Sequence, residues 1–533
     1  SRRVTAPEEV KHELRDVFKK WFGWRRRKWF TGATIWKQQE GKEVRRWLAT
    51  YGRDKRCGES EEAWLQQMPK WVADSVKEVP KRCWKVLRAA KVRRTKSGAS
   101  IAQKVDEALN RREIFNKSRW QRMLAHKKGG TTPGLSGFST TMLKALVTQV
   151  KVTTAGGGTA MEAPAAHISD WIRRWCNMVV RTGAYPDEWR QSLLVAIPKK
   201  EGSINVMEQR PLQMWEVLRN LCVGGVVRQI QEVWETEGVL DAAQYAFQSR
   251  KGTEGPLKIL TAVAEDACIY RKEYYSASQD ISKAYDKVER TLGKEMSMRR
   301  LGVCEWVLQM IADLDDGSSF QVKTAYGNTE PGYTETGWPQ GGEESCAGWI
   351  AQYDWMLQLQ REAVGRDPYL VTDATMRCHA ADRAAGDRIM NATEELIDGD
   401  LAEDDTQWAH TEWLQTEKNA CIEVVGGVFA DDAQWLAYSK RGLEVAVRTS
   451  EDFLGFHGGQ FNADKSTYRM FAWRDESDGA GVKYDEIDGE VWVDMLEPNA
   501  DGSSRRLQLK RISAEDEEKY LGVVTTGCVW WGA

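Results

Sequence analysis

The sequence predicts an α+β protein of several packed units, on three observations. From about residue 165 onward, helical and strand-like segments mix without strict alternation, which argues against a doubly wound parallel sheet. Before that, residues 1–125 carry periodic apolar positions such as Val10, Leu14, Phe18 and Trp21 and read as mostly helical. Two β-prone runs far apart in the chain each end in aspartates. At 533 residues the chain is several times an ordinary domain, so two to four units are expected.

Composition sets the outer bounds. Hydrophobic residues make up 41% and charged residues 29%, ordinary values for a globular protein, whereas 25 tryptophans are unusual. No run of about 18 uncharged apolar residues exists, so no membrane span is expected. The start has neither Met nor the apolar stretch of a signal peptide and reads as a fragment boundary. The ten cysteines are scattered, with no C-x-x-C pair, which disfavours a zinc ribbon and suits a reducing, intracellular compartment.

Net charge is −2, but it is unevenly spread. Residues 1–130 hold about 35 Lys/Arg against about 15 Asp/Glu, leaving the remainder near −22. A basic first quarter on an acidic body suggests a polyanion-binding arm joined to a metal-binding body. Arg25, Arg26, Arg27 and Lys28 lie between aromatic residues in Trp21–Phe30 and are the candidate nucleic-acid contacts. The competing reading is a helical bundle with a tryptophan core and solvated basic faces.

Loops at Lys127–Gly134 and Gly156–Gly158 mark probable unit boundaries. An acidic stretch at about 365–420, poor in β-branched residues, reads as a solvated helical insertion. Further on, Val424–Phe429 and Ala433–Tyr438 flank Asp431 and Asp432, the pattern of a hairpin with carboxylates at its turn. A second short strand, Tyr274–Gln279, leads into Asp280. Side by side, the two would set Asp280 against Asp431, and such convergence calls for a hard cation. Mg²⁺ prefers oxygen ligands and completes its shell with phosphate.

These residues resemble a known family. Asp280-Ile281-Ser282-Lys283-Ala284-Tyr285-Asp286 is similar to motif A of reverse transcriptases, and Phe429-Ala430-Asp431-Asp432 to their motif C. The other motifs follow in the family's order. Pro186–Trp189, Ile197–Lys200 and Gln209–Leu212 resemble fingers segments, and Gln244–Phe247 with Lys251–Thr253 resembles the Q-x-G-F segment. Gly337–Gly342 resembles motif B, Gly458–Ser466 motif D and Tyr520–Gly522 motif E. The likeness covers roughly residues 125–525 and is nearest the non-LTR (LINE-type) retrotransposon enzymes, with group II intron maturases second.

The resemblance implies a right-hand polymerase fold: a helical N-terminal extension (1–125), fingers (126–275) and a palm with an antiparallel sheet (276–533). The thumb would be absent, which implies weak clamping of primer–template. It implies an RNA-directed DNA polymerase using two Mg²⁺ ions (Mn²⁺ as substitute), an RNA template, a DNA or RNA primer and dNTPs, with nuclear action for a LINE-type element. Asp280, Asp431 and Asp432 would be the metal ligands and, with Lys465 as proton donor to pyrophosphate, the catalytic group. Lys199 and Arg210 would grip the triphosphate, Tyr285 would exclude a 2′-hydroxyl, and Gln340 and Gly341 would approach the nucleotide or duplex.

Several positions depart from the family pattern. Glu343 and Glu344 add acids beside the motif B loop, Ser136 and Ala246 replace an Asp and a Gly, and about 80 residues separate Gly348 from Gly427. Two other classes share parts of the pattern. An RNA-dependent RNA polymerase would carry a polar sugar sensor where Tyr285 stands, and a binding-only relative has no need of Asp280, Asp431, Asp432 and Lys465. Nucleic-acid binding through the basic extension is expected to be salt-sensitive. Affinity falling tenfold or more between about 50 and 200 mM salt in a filter-binding titration is the expected result, and a flat response would exclude phosphate contacts.

Overall fold

The computed structural model describes residues 6–22, 39–51, 61–109, 113–153, 159–163, 165–199, 201, 205, 209–363, 365–372, 421–459, 461–462, 464–476, 481–496, 505–516, 518–520 and 523–525. It is a mixed helix-and-sheet protein with two larger sheets and several two-stranded ribbons.

Helix α1 (Pro7–Phe22) has Glu8 and Glu9 in its first turn and Lys19 and Lys20 in its last, charges that suit the helix dipole. Its apolar side, Leu14, Phe18 and Phe22, packs on Leu194, Phe320 and Val322. Short helices follow between Gln39 and His126 and bury Trp64, Trp84 and Trp120. Their residues share one apolar core with the body, from Val44 to Leu509. Ion pairs reinforce the junction: Arg45 to Glu295 at 2.7 Å, Arg82 and Lys85 to Asp452 at 2.5 and 2.7 Å, and Arg46 to Glu305 at 2.9 Å. Trp71, by contrast, is exposed.

Along the body run β1 (Gln191–Pro198), β2 (Gln209–Met214), α2 (Val217–Thr236), α3 (Glu254–Ile269), β3 (Glu273–Gln279), β4 (Ser319–Thr324), α4 (Glu343–Glu362), β5 (Gly426–Phe429), β6 (Asp432–Ala437), α5 (Lys440–Phe456), β7 (Thr467–Asp475) and β8 (Val482–Glu486). The first sheet has the order β2-β1-β4, with β1 antiparallel to β2 and parallel to β4. A boundary at residue 275 therefore cuts through a sheet. The central sheet has the order β5-β6-β3-β7-β8, antiparallel throughout, and Lys510–Arg511 adds a short parallel pairing to β7. β3 is largely buried, as befits a strand paired on both sides.

Two features fix the hairpin β5–β6 from behind. The Arg366 guanidinium donates to the carbonyls of Val425 (2.9 Å) and Leu436, one on each side of the ladder. Just outside it, Tyr369–Thr372 pairs antiparallel with Cys421–Val424, Tyr369 opposite Val424 and Thr372 opposite Cys421. That ribbon brings together the two ends of the expected insertion, whose residues 373–420 lie outside the described ones. A long segment can enter and leave there without disturbing the hairpin.

Helix α4 is buried along most of its length and carries a charged group inside the core. The Asp354 carboxylate, fully buried, accepts from Arg93 Nη1 at 2.8 and 2.9 Å, from Arg300, and from the Asp241 amide at 2.7 Å. Burial raises its carboxyl pKa, but Arg93 and Arg300 win and hold it below the usual carboxylate range. Removing one member of such a cluster leaves the others buried and uncompensated. Asp354→Ala is expected to cost about 3–5 kcal/mol, read as a shift of the urea midpoint, whereas a cost under about 1 kcal/mol would mean that the arginines find water.

Candidate active site

The hairpin β5–β6 closes on the pair Phe429–Asp432, leaving Ala430 and Asp431 as its two turn residues. Ala430 sits at φ +57°, the left-handed region, at a cost of about 1–2 kcal/mol for a residue with a Cβ. On the other side of β6, Gln279 lies opposite Ala433, so Asp280, the next residue of the chain, comes level with Asp432. The register thus brings all three predicted aspartates to one end of the sheet.

Neighbours hold Asp280 closely. Its amide donates to Ser466 Oγ at 3.0 Å, its carbonyl accepts from the Asn462 amide at 3.0 Å, and its Oδ2 accepts from Asn462 Nδ2 at 2.6 Å. Asn462 and Ser466 flank Lys465, whose exposed side chain is thereby placed next to this clamp.

The electrostatics are those of crowded acids. Burial raises the Asp431 carboxyl above the usual range and Asp280 adds to it, while its own amide, Arg210 and Lys199 pull it down. Loss of water around its carboxyl, then the charges of Asp431 and Asp280, push Asp432 up to about 6. Arg210 on β2 and Lys199 just beyond β1 are both exposed and act on Asp431 across the space between the sheets. In chemistry, this donor set of carboxylate oxygens that disfavour each other's charge fits a hard divalent cation. Among the described residues, however, no three His, Cys, Asp or Glu side chains stand at ligand spacing. Mg²⁺ sites commonly use one or two carboxylates plus phosphate, so this spacing does not remove the fit.

Tyr285 lies beside the aspartates. Burial first, then Asp431, Cys346 and Asp432, drive its hydroxyl pKa far up. Its ring stacks on Trp349 of α4 at 4.4 Å, and Trp349 leans on Tyr353 at 5.1 Å. Trp349 Nε1 donates to the Ala430 carbonyl at 2.8 Å and the Tyr353 hydroxyl to the Asp431 carbonyl at 3.2 Å. Nothing in the sequence marks these two contacts, because aromatics at helical spacing read as core.

The loop before α4 joins the two sheets. Gln340 uses its carbonyl to accept from the Gln213 amide of β2 at 2.7 Å, and its Nε2 donates to Asp286 at 2.9 Å. Gly341 sits at φ +111°, and a Cβ there would run into the Gln213 carbonyl, so only glycine fits. The acids that follow are neutralised locally. Glu344 is buried against Arg219 at 2.5 Å, and Glu343 pairs with Lys127 and, at 3.0 Å, with Arg228. Ser136 donates from its amide and its hydroxyl to Glu216 at 2.9 and 2.5 Å. Ala246 is fully buried, next to a Gln244–Val428 bridge on the outer side of β5. Arg25, Arg26, Arg27 and Lys28 lie outside the described residues.

Comparison with known proteins gives one partial match. Over 137 residues the chain is 31% identical to a retrovirus-related Pol polyprotein from the type-1 retrotransposable element R2 of Nasonia vitripennis. The matched segment covers 26% of this chain and 13% of that polyprotein. No protein-family model matches the chain. At that identity and coverage the similarity reaches a retroelement-related protein and stops short of an activity. Among the described residues, no helix is long and apolar enough to cross a membrane.

A carboxyl raised to about 6 when folded, against about 3.9 unfolded, holds its proton more tightly in the native state. In that window the native state binds more protons, so stability falls as pH rises from about 4 to 6 and the penalty stays in full above that. In metal-free buffer Asp432→Asn should therefore melt at the same temperature as the parent near pH 4 and higher above pH 6.5. A difference that does not vary with pH would show that neither burial nor neighbouring charge shifts the Asp432 carboxyl.

Proposed function

We propose that the protein is the fingers and palm of a non-LTR-type reverse transcriptase, an RNA-directed DNA polymerase that extends a primer with dNTPs. The observation that carries this reading is the register at the end of the central sheet: Asp280 comes level with Asp432, with Asp431 in the adjoining turn. The partial likeness to a retrotransposon Pol polyprotein supports it independently. So does the order of the motifs along the chain.

The division of labour on this reading is as follows. Asp280 and Asp431 would hold Mg²⁺ together with phosphate oxygens of the nucleotide, with Asp432 as a supporting carboxylate; the ion when bound would lower the pKa of the attacking hydroxyl and neutralise the departing phosphate. Asn462 and Ser466 keep Asp280 turned toward the turn of β5–β6. Lys199 and Arg210, facing the acids from the first sheet, bind the triphosphate of the incoming nucleotide, the guanidinium in paired hydrogen bonds. Tyr285 offers a flat ring, backed by Trp349, against which a deoxyribose fits and a 2′-hydroxyl does not. Gln340 and Gly341 form a close-set backbone floor, and Lys465, next in the chain to Ser466 of the Asp280 clamp, would give a proton to pyrophosphate.

A binding-only relative is the second reading, favoured by the absence of three ligands at metal spacing among the described residues. Primer extension on an RNA template with Mg²⁺ separates the two. The expected result is incorporation of dNTPs in preference to rNTPs, abolished in Asp431→Ala, with Tyr285→Ala narrowing the preference at least tenfold, about 1.4 kcal/mol or more of discrimination. RNA bound tightly, with no incorporation beyond the Asp431→Ala background, would favour the binding-only reading.

A further inference from the structure

The turn of β5–β6 is in an unfavourable state on two counts. Ala430 adopts a left-handed φ of +57°, where its Cβ crowds the following carbonyl. Asp431 and Asp432 are adjacent there and come level with Asp280, so three carboxyl groups crowd the same end of the sheet. A two-residue turn in such a state relaxes unless something outside the hairpin holds it.

Helix α4 supplies two donors to that turn. Trp349 and Tyr353 are four residues apart and so share a helix face. One binds the Ala430 carbonyl at 2.8 Å and the other the Asp431 carbonyl at 3.2 Å, which are successive carbonyls of the turn. Both donor residues are buried. The Trp349 indole is fixed between the rings of Tyr285 and Tyr353. One residue beyond Tyr353, Asp354 locks the helix to Arg93, Arg300 and the Asp241 amide. A plain packing role would need neither polar atom aimed at the turn, and at Tyr353 a phenylalanine fills the same space.

We propose that Trp349 and Tyr353 are positioning residues, which hold the Ala430–Asp431 peptide in its left-handed turn and so keep Asp431 and Asp432 aimed toward Asp280. What the aimed carboxylates do rests on the polymerase reading. That the turn is held by α4 does not. Because Trp349 also backs Tyr285, the same ring ties the carboxylate turn to the residue that would meet the sugar.

The test uses Trp349→Phe and Tyr353→Phe, singly and together, since each removes a donor and keeps a ring. Amide hydrogen exchange of residues 428–433 in the metal-free protein should rise about tenfold or more in the double variant, while exchange in β3 and β7 stays as in the parent. Mn²⁺ binding, followed by electron paramagnetic resonance on the full chain, should weaken by about tenfold in the double variant. In primer extension, kcat should fall with little change in KM for dNTP. Adding Ala430→Gly, which removes the cost of the left-handed φ, should recover much of the lost Mn²⁺ affinity. Unchanged exchange at the turn in the double variant would overturn the proposal, whatever the metal does. Mn²⁺ binding that Asp431→Ala leaves intact would instead overturn the metal-dependent reading, with the exchange result still deciding the role of Trp349 and Tyr353.

Discussion

A charge placed out of reach of water must be surrounded by donors, and at Asp354 that requirement organises much of the molecule. Its carboxylate gathers Arg93 from the N-terminal extension, Arg300 from the helix after β3, and the backbone at Asp241 before the Gln244 segment. No two of these are close in sequence. Such a cluster adds little net stability over an apolar one, because desolvation offsets most of the attraction. What it adds is register: α4 can rotate or slide only by stranding buried charges. Asp241 in turn accepts from Arg361 at 2.8 and 2.9 Å, near the C-terminal end of the same helix, so α4 is pinned toward two of its turns.

The charge asymmetry of the chain takes on a different meaning in this light. A basic first quarter facing an acidic body reads, from composition, as one part seeking polyanions. In the fold, Arg45, Arg46, Arg82, Lys85 and Arg93 spend their charge on Glu295, Glu305, Asp452 and Asp354 of the body. Likewise Glu343 and Glu344, which stand out in sequence as acids on a polyanion path, are neutralised by Lys127, Arg228 and Arg219. Net charge counts both kinds of residue alike, whereas a nucleic acid would meet only the cations that no carboxylate has claimed.

Local patterns were legible and long-range partners were not. The β-prone runs around Asp431 and before Asp280 pointed to the hairpin and the strand, because residue type and turn chemistry are properties of neighbouring residues. That the strands lie side by side depends on pairing between residues about 150 apart, which the pattern permits without specifying. Asn462 and Ser466 sat unmarked beside the singled-out Lys465, since a short polar side chain in a loop signals nothing until its partner is known. Trp349 and Tyr353 were hidden for a different reason: on a helix with a buried face, an indole or phenol looks the same whether or not its polar atom has a task. The ribbon Tyr369–Thr372 with Cys421–Val424 was invisible because its two halves belong to opposite ends of a long insertion.

The width of the space between the sheets is the quantity on which both the carboxylate end and the cationic side depend, and it has a local cause. Arg210 rides on β2, Asp431 on the turn of β5–β6, and among the described residues no strand pairing joins the first sheet to the central one. What connects them is the loop before α4. The Gln340 carbonyl takes the Gln213 amide three residues from Arg210, while the Gln340 side chain reaches Asp286, six residues from Asp280. Gly341 allows that approach because it has no Cβ to meet the Gln213 carbonyl. A larger residue there would move β2 away, and Arg210 with it. The attraction that Arg210 and Lys199 exert on Asp431 falls with distance, so a small backbone shift at Gly341 is felt as a change in the charge balance at Asp431. Gly341 thus shapes the site through a contact that its own chemistry never enters.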